Sequence, residues 1–118
     1  MTARRGEVVL VNFPFASGTG SKVRPALVIQ NDADNARLTN TILAQITGTT
    51  QRAGEPIQML VEVATPEGQQ TGLKFDSVVN CVNLATVSQG MIVRALGTLP
   101  PRLMLRVQDA LKVALALP

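Results

Sequence analysis

Residues 5–32 read RGEVVLVNFPFASGTGSKVRPALVIQND, two apolar runs on either side of a segment of small and polar residues. The first run, residues 7–13 (EVVLVNF), has the unbroken apolar stretch of a central strand buried on both faces, and it stops at Pro14, which cannot donate a ladder hydrogen bond. The second, residues 25–30 (PALVIQ), is closed by the polar cluster NDADN of residues 31–35, where Asn and Asp side chains favour turns by bonding nearby backbone. Two strands joined by a plain hairpin connection is the reading of this stretch.

The same logic extends outward. Residues 41–47 (TILAQIT) alternate, with Ile42, Ala44 and Ile46 on one face and Leu43, Gln45 and Thr47 on the other. Residues 57–63 (IQMLVEV) set Ile57, Met59, Val61 and Val63 against Gln58 and Glu62, a half-exposed strand. Residues 77–87 and 90–97 supply two more strands, joined at Ser88-Gln89-Gly90, a short turn that suits adjacent antiparallel neighbours. Residues 16–21, 48–56 and 64–72 read as mobile loops. After Pro100 and Pro101 the period changes: Leu103, Val107, Ala110, Leu111, Ala114 and Leu115 recur at helical spacing, with Arg106, Asp109 and Lys112 opposite. Six short strands and one amphipathic helix over residues 102–115 predict a mainly β fold. The expected form is a small, strongly curved antiparallel sheet or barrel in one compact soluble domain, residues 1–118.

Composition removes whole classes of chemistry. The 118 residues include no His, no Trp, no Tyr and one Cys. Without imidazole there is no Ser-His-Asp or Cys-His triad, no His-paired ribonuclease mechanism and no His-Glu-x-x-His zinc site. Cys81 alone forms no intramolecular disulfide; it reads as a small buried hydrophobe in a reducing, cytoplasmic compartment. No signal peptide is visible, and no apolar stretch approaches the ~20 residues of a membrane span.

The formal charge of +3 is unevenly placed. Arg4, Arg5, Lys22 and Arg24 face only Glu7 in residues 1–24, whereas the rest of the chain is balanced. In residues 17–25 (SGTGSKVRP), glycines permit close backbone approach to a phosphate, hydroxyls can donate, and Lys22 and Arg24 add charge. The spacing is not that of a P-loop, and a strand follows instead of a helix. Two further groups stand out: Gln45 with Thr47, sharing the face opposite Ile46, and Lys74-Phe75-Asp76-Ser77 leading into the fifth strand. Each taken singly is ordinary surface, a hairpin loop or an exposed ion pair.

Together these segments resemble the MazF/PemK toxins of bacterial toxin–antitoxin pairs. The resemblance is carried by RGEVVLVNFPF (residues 5–15), VRPALVIQND (23–32), AQIT (44–47), GLKFDSVV (72–79) and a terminal helix containing ALKVALAL, in matching order over nearly the whole chain. It implies a barrel of SH3-like, CcdB/PemK type and a homodimer. It implies a metal-independent, sequence-specific endoribonuclease without cofactor, cleaving single-stranded RNA and restrained by a cognate antitoxin, through whose complex it would bind DNA. Carried over by position, the catalytic arginine preceding the proline is Arg24, the threonine of the QIT segment is Thr47, and the aspartate before the next strand is Asp76. The RNA-binding set expected around them is Phe15, Ser17, Ser21, Lys22, Gln45, Lys74 and Ser77. Many members carry a Glu-Gln pair or a His in the first loop, where this chain has SGTGSK.

RNA can be cut without an external nucleophile, since the ribose 2′-hydroxyl can attack the adjacent phosphorus. A permanently charged, planar guanidinium suits the dianionic charge that develops, a role for Arg24, and Thr47 can donate to the same phosphate. Asp76 is the candidate general base if it approaches the 2′-hydroxyl. The expected products are a 2′,3′-cyclic phosphate and a 5′-hydroxyl, formed in the presence of chelator. The alternatives are a noncatalytic nucleic-acid-binding barrel, an inactive relative, and a CcdB-like gyrase poison. The first would stack bases on aromatics and has only three Phe to use; the last would end Trp-Gly-Ile where this chain ends Leu-Ala-Leu-Pro.

Overall fold

The computed structural model describes residues 2–14 and 18–118. Its strands are β1 (Glu7–Pro14), β2 (Ser21–Val28), β3 (Asn40–Thr47), β4 (Gln58–Val61), β5 (Ser77–Ser88) and β6 (Ile92–Thr98). Its α-helices are α1 (Asp32–Arg37), α2 (Pro66–Gln69) and α3 (Pro101–Leu115), and a 3-10 turn spans Gln89–Met91. The strands form one antiparallel sheet in the order β4-β5-β3-β2-β1-β6. Register shifts between Ala44 and Gln45 on β3, and at two points between β1 and β6, mark where the sheet bends.

The curled sheet stays open but its far edge is covered. The segment leaving α2 lies against β6, where Thr98 N–H donates to the Gln70 carbonyl at 2.9 Å. Two glycines permit that approach: a Cβ on Gly72 (φ +72°) would collide with the Leu96 backbone, and one on Gly97 with the backbone of Gln70 and Thr71. The expected barrel-like architecture is therefore met by a sheet whose edge is capped by a loop.

Period-two alternation divides the apolar side chains between two faces. Val8, Leu27, Ala44, Ile46, Met59, Val61, Val79 and Cys81 pack with Leu103, Val107 and Ala110 of α3, while Val9, Val11, Ala26, Val28 and Leu43 pack on the other side with Ala3. β1 is thus buried on both faces, as its sequence implies. Proline at the first position of α3 fixes the first turn without losing a needed donor. The helix ends at Ala116 in the left-handed region (φ 55°), its N–H on the Lys112 and Val113 carbonyls. Among the described residues no helix is long and apolar enough to cross a membrane.

Four local readings are corrected. The β5 and β6 strands are not neighbours: β5 pairs with β3 and β4, and β6 pairs with β1 at the opposite edge. Their connection is redirected by Gln89, whose side chain accepts from Ala3 N–H and donates to the Asn35 and Leu38 carbonyls, and whose own N–H reaches Thr39. The cluster after β2 is the helix α1. Asn31 caps it by accepting from Asp34 N–H at 2.8 Å, and buried Asn35 locks it by donating to Gln30 O and accepting from Thr41. Residues 64–72 are pinned by α2, which is capped by Thr65, with Thr71 fully buried. Finally, β2 begins at Ser21 instead of residue 25; its first four residues are exposed, so no apolar pattern announced them.

Candidate nucleic-acid interface

β2 and β3 pair only as far as Ala26 opposite Gln45. Pro25, lacking an N–H, sits where the ladder stops. Extending the register by two residues would set Arg24 opposite Thr47, but the strands have parted there, and the gap opens two clefts with Arg24, Ile46 and Thr47 in the lining of both.

The first cleft, about 330 Å³, has a floor of Leu10, Val23, Pro25, Ile46, Leu73 and Leu96. Its rim carries three cations, Arg24, Lys74 and Arg94, and no carboxylate. None of the three belongs to an ion pair; the pairs among the described residues are Arg37–Asp34, Arg52–Glu55 and Arg102–Glu67. The sheet explains how Arg94 arrives: Leu10 of β1 is opposite Pro25 on one side and Arg94 on the other, so the three form one row.

The second cleft, about 380 Å³, is lined by Arg24, Arg52 and a set of neutral amides, again without a carboxylate. Gln58, Asn80 and Gln45 are successive cross-strand partners on β4, β5 and β3. Asn83 donates to Gln45 Oε1 at 3.0 Å, while Gln58 Oε1 is buried with no hydrogen-bond partner.

The residues singled out in the sequence divide accordingly. Arg24 is exposed on β2. Thr47 is half-buried at the end of β3, and its Oγ1 accepts from Thr49 N–H at 3.2 Å, which leaves the hydroxyl proton to donate elsewhere. Lys74 and Ser77 reach the first cleft, but Ser77 is buried and donates to the Phe75 carbonyl at 2.8 Å, so it shapes the turn that presents Phe75. Gln45 lines only the second cleft.

Ser21 and Lys22 are exposed farther along β2, opposite Pro14 and Phe13, and line neither cleft. Asp76 is also outside both linings; its Oδ1 accepts from Val63 N–H at 2.9 Å and ties the segment before β5 to the end of β4. Phe15 and Ser17 lie outside the described residues. Cys81 is fully buried, and burial pushes its thiol up to about 11, as befits an inert core group.

Sequence reasoning quoted Phe75 within the group at residues 74–77 without giving it a place in the site, and it missed Arg52, Arg94 and the amides Gln58, Asn80 and Asn83. No motif marks these five; strand register brings Arg94, Gln58 and Asn80 near Arg24, and the loop before β4 brings Arg52.

Fold and cleft define a small, open β-barrel protein with a cationic surface next to its strand gap. Residues 4–115 match the family described as PemK-like, MazF-like toxin of type II toxin–antitoxin systems. The chain is 30% identical over 118 residues to the endoribonuclease EndoA of Bacillus subtilis, covering 99% of this chain and 97% of that protein. It is 34% identical over 119 residues to the endoribonuclease MazF6 of Mycobacterium tuberculosis, covering 99% of this chain and all of that protein. The chain therefore belongs to the PemK-like, MazF-like toxin family. Its fold is shared with a mycobacterial endoribonuclease solved with its cognate antitoxin (TM-score 0.79, 22% identity, 98% of this chain and 97% of that one). A MazE–MazF structure from Deinococcus radiodurans is similarly alike (TM-score 0.78, 18% identity, all of both chains).

Proposed function

We propose that residues 1–118 act as one domain, a toxin that cleaves single-stranded messenger RNA at chosen sequences in the cytoplasm. In this reading it acts as a homodimer and is restrained by a cognate antitoxin. The observation that carries the reading is the first cleft: unpaired Arg24, Lys74 and Arg94 with no lining carboxylate, beside a threonine hydroxyl free to donate. Such a rim favours a polyanion, and the relatives' names as endoribonucleases favour cleavage over passive binding or gyrase poisoning.

In the reaction, the ribose 2′-oxygen attacks phosphorus and loses its proton, while the bond to the 5′-oxygen breaks and that oxygen gains one. The products are a 2′,3′-cyclic phosphate and a 5′-hydroxyl. Arg24 stabilises the charge developing on the nonbridging oxygens, Thr47 donates to one of them, and Lys74 and Arg94 hold flanking phosphates. Asp76 serves indirectly, by fixing the segment that presents Lys74 and Phe75. Ser21 and Lys22 meet the RNA farther along β2, and Gln45 contacts it in the second cleft.

Incubation with a mixed-sequence single-stranded RNA in excess EDTA tests the reading. Cleavage at a recurring short sequence is expected; activity lost in EDTA and restored by magnesium would overturn the mechanism.

A further inference from the structure

Phe75 is the most exposed of the large apolar side chains in the described structure, at 67%, and it stands in the lining of the first cleft. Isolated exposed apolar side chains are commonplace on proteins, so the exposure alone carries little. Its position carries more. The ring lies against Gly48, the residue after Thr47; a Cβ there would come within 3.3 Å of Phe75 Cε2, so the missing side chain leaves the ring its seat. Its backbone is held by the buried Ser77 hydroxyl on the Phe75 carbonyl, and Asp76 is tied to Val63 N–H. The ring is thus presented by a fixed turn, at the lip of an apolar floor and among three unpaired cations.

We infer that Phe75 is a stacking platform for one nucleobase of the RNA, placing that nucleotide against the cleft while Lys74 and Arg94 take the flanking phosphates. This rests on the nucleic-acid reading of the cleft and adds a residue to it that sets position and base preference. The charge around the ring selects the occupant: a cationic rim without carboxylates suits a phosphate chain, and an aromatic face offers a base the contact that single-strand binders use. A purely apolar protein segment would leave three guanidinium and ammonium groups unmatched. Phe75 is a positioning residue and takes no part in bond making.

The absence of Trp and Tyr makes a direct test possible, because Phe75→Trp places a lone fluorophore in the cleft. The probe is a labelled mixed-sequence 2′-deoxy oligonucleotide, which lacks the attacking hydroxyl and stays intact. Its abasic counterpart and inorganic polyphosphate are controls.

The base-bearing strand is expected to quench the tryptophan saturably, whereas abasic strand and polyphosphate bind without quenching. Phe75→Leu and Phe75→Ala are expected to raise Kd about tenfold, with the salt dependence unchanged, and Phe75→Tyr to restore it. Equal affinity for Phe75→Ala and the parent protein, or binding without quenching, would overturn the stacking role and leave the cationic cleft standing. Failure of the parent protein to bind any of the three probes would overturn the nucleic-acid reading itself, and stacking with it. A tryptophan already blue-shifted in free protein and indifferent to oligonucleotide would show the ring covered by a protein surface, which also overturns the proposal.

Discussion

One face of the sheet is finished differently at its two ends. At one end α3 lays Leu103, Val107 and Ala110 over Met59, Val61, Val79 and Cys81, all nearly or fully buried. At the other, the same alternation continues through Leu10, Val23 and Leu96, but no helix covers them, and Arg24, Lys74 and Arg94 stand around the opening. The covered end is stabilised by removal of apolar surface from water, and the open end keeps cations without partners. Stability and the recognition proposed for the open end therefore fall in separable parts of one small sheet, and substitutions should separate them.

The largest contrast is expected from Leu103→Ala and Arg24→Ala. Truncating Leu103 removes a buried side chain from beneath α3 and should cost about 2–5 kcal/mol of unfolding free energy, read by denaturant melts, with the rate per folded molecule preserved. Arg24→Ala should reverse the pattern. Loss of a transition-state donor is expected to slow single-turnover cleavage by about 10²–10³-fold. Stability should stay within about 0.5 kcal/mol, because Arg24 is exposed and in no ion pair. Equal damage to stability in both variants would erase the distinction.

Thr47→Val comes next. It keeps the branched shape at the end of β3 while removing the hydroxyl, and a lost hydrogen bond to a charged group is worth about 1.5–3 kcal/mol, so a rate loss of about 10- to 150-fold is expected, with stability changed by no more than about 1 kcal/mol for the exposed contact to Thr49 N–H.

The smallest effect near neutrality belongs to Cys81. Burial raises its thiol from 9.0 to about 11, so the folded state favours the protonated form. Its contribution is fully present below pH 9 and is lost as pH rises through 11, and a thiol reagent at pH 8 should modify it only after unfolding. Rapid labelling of the native protein would show that the covered end is looser than its packing indicates.

The covered end was the more legible in the sequence. The two-residue period of 41–47 and 57–63 and the helical spacing after Pro101 report most of the side chains that meet in a core, Ile46, Met59, Val61, Leu103 and Val107 among them, whereas Ile42 and Leu115 are exposed and Leu43 is buried on the other face. Short capped helices escaped because Asn31 and Thr65 make the same local bonds at a turn as at a helix start. The order of β5 and β6 escaped because a brief connection says nothing of a chain that crosses the fold, as Gln89 makes it do.

For the open end, resemblance pointed to Arg24 and Thr47, and the strand gap at Pro25 puts both in the linings of the same two clefts. Arg94 and the amide row had no sequence signal, since each depends on which strands lie side by side. Asp76 shows the converse: sequence placed it beside Lys74 and Ser77, yet its carboxylate turns to Val63.

The most direct test of the account is the chemistry of the RNA ends left by the parent protein in EDTA. It predicts 2′,3′-cyclic phosphate and 5′-hydroxyl termini that disappear with Arg24→Ala. Termini bearing 5′-phosphate, or cleavage undiminished in Arg24→Ala, would contradict it.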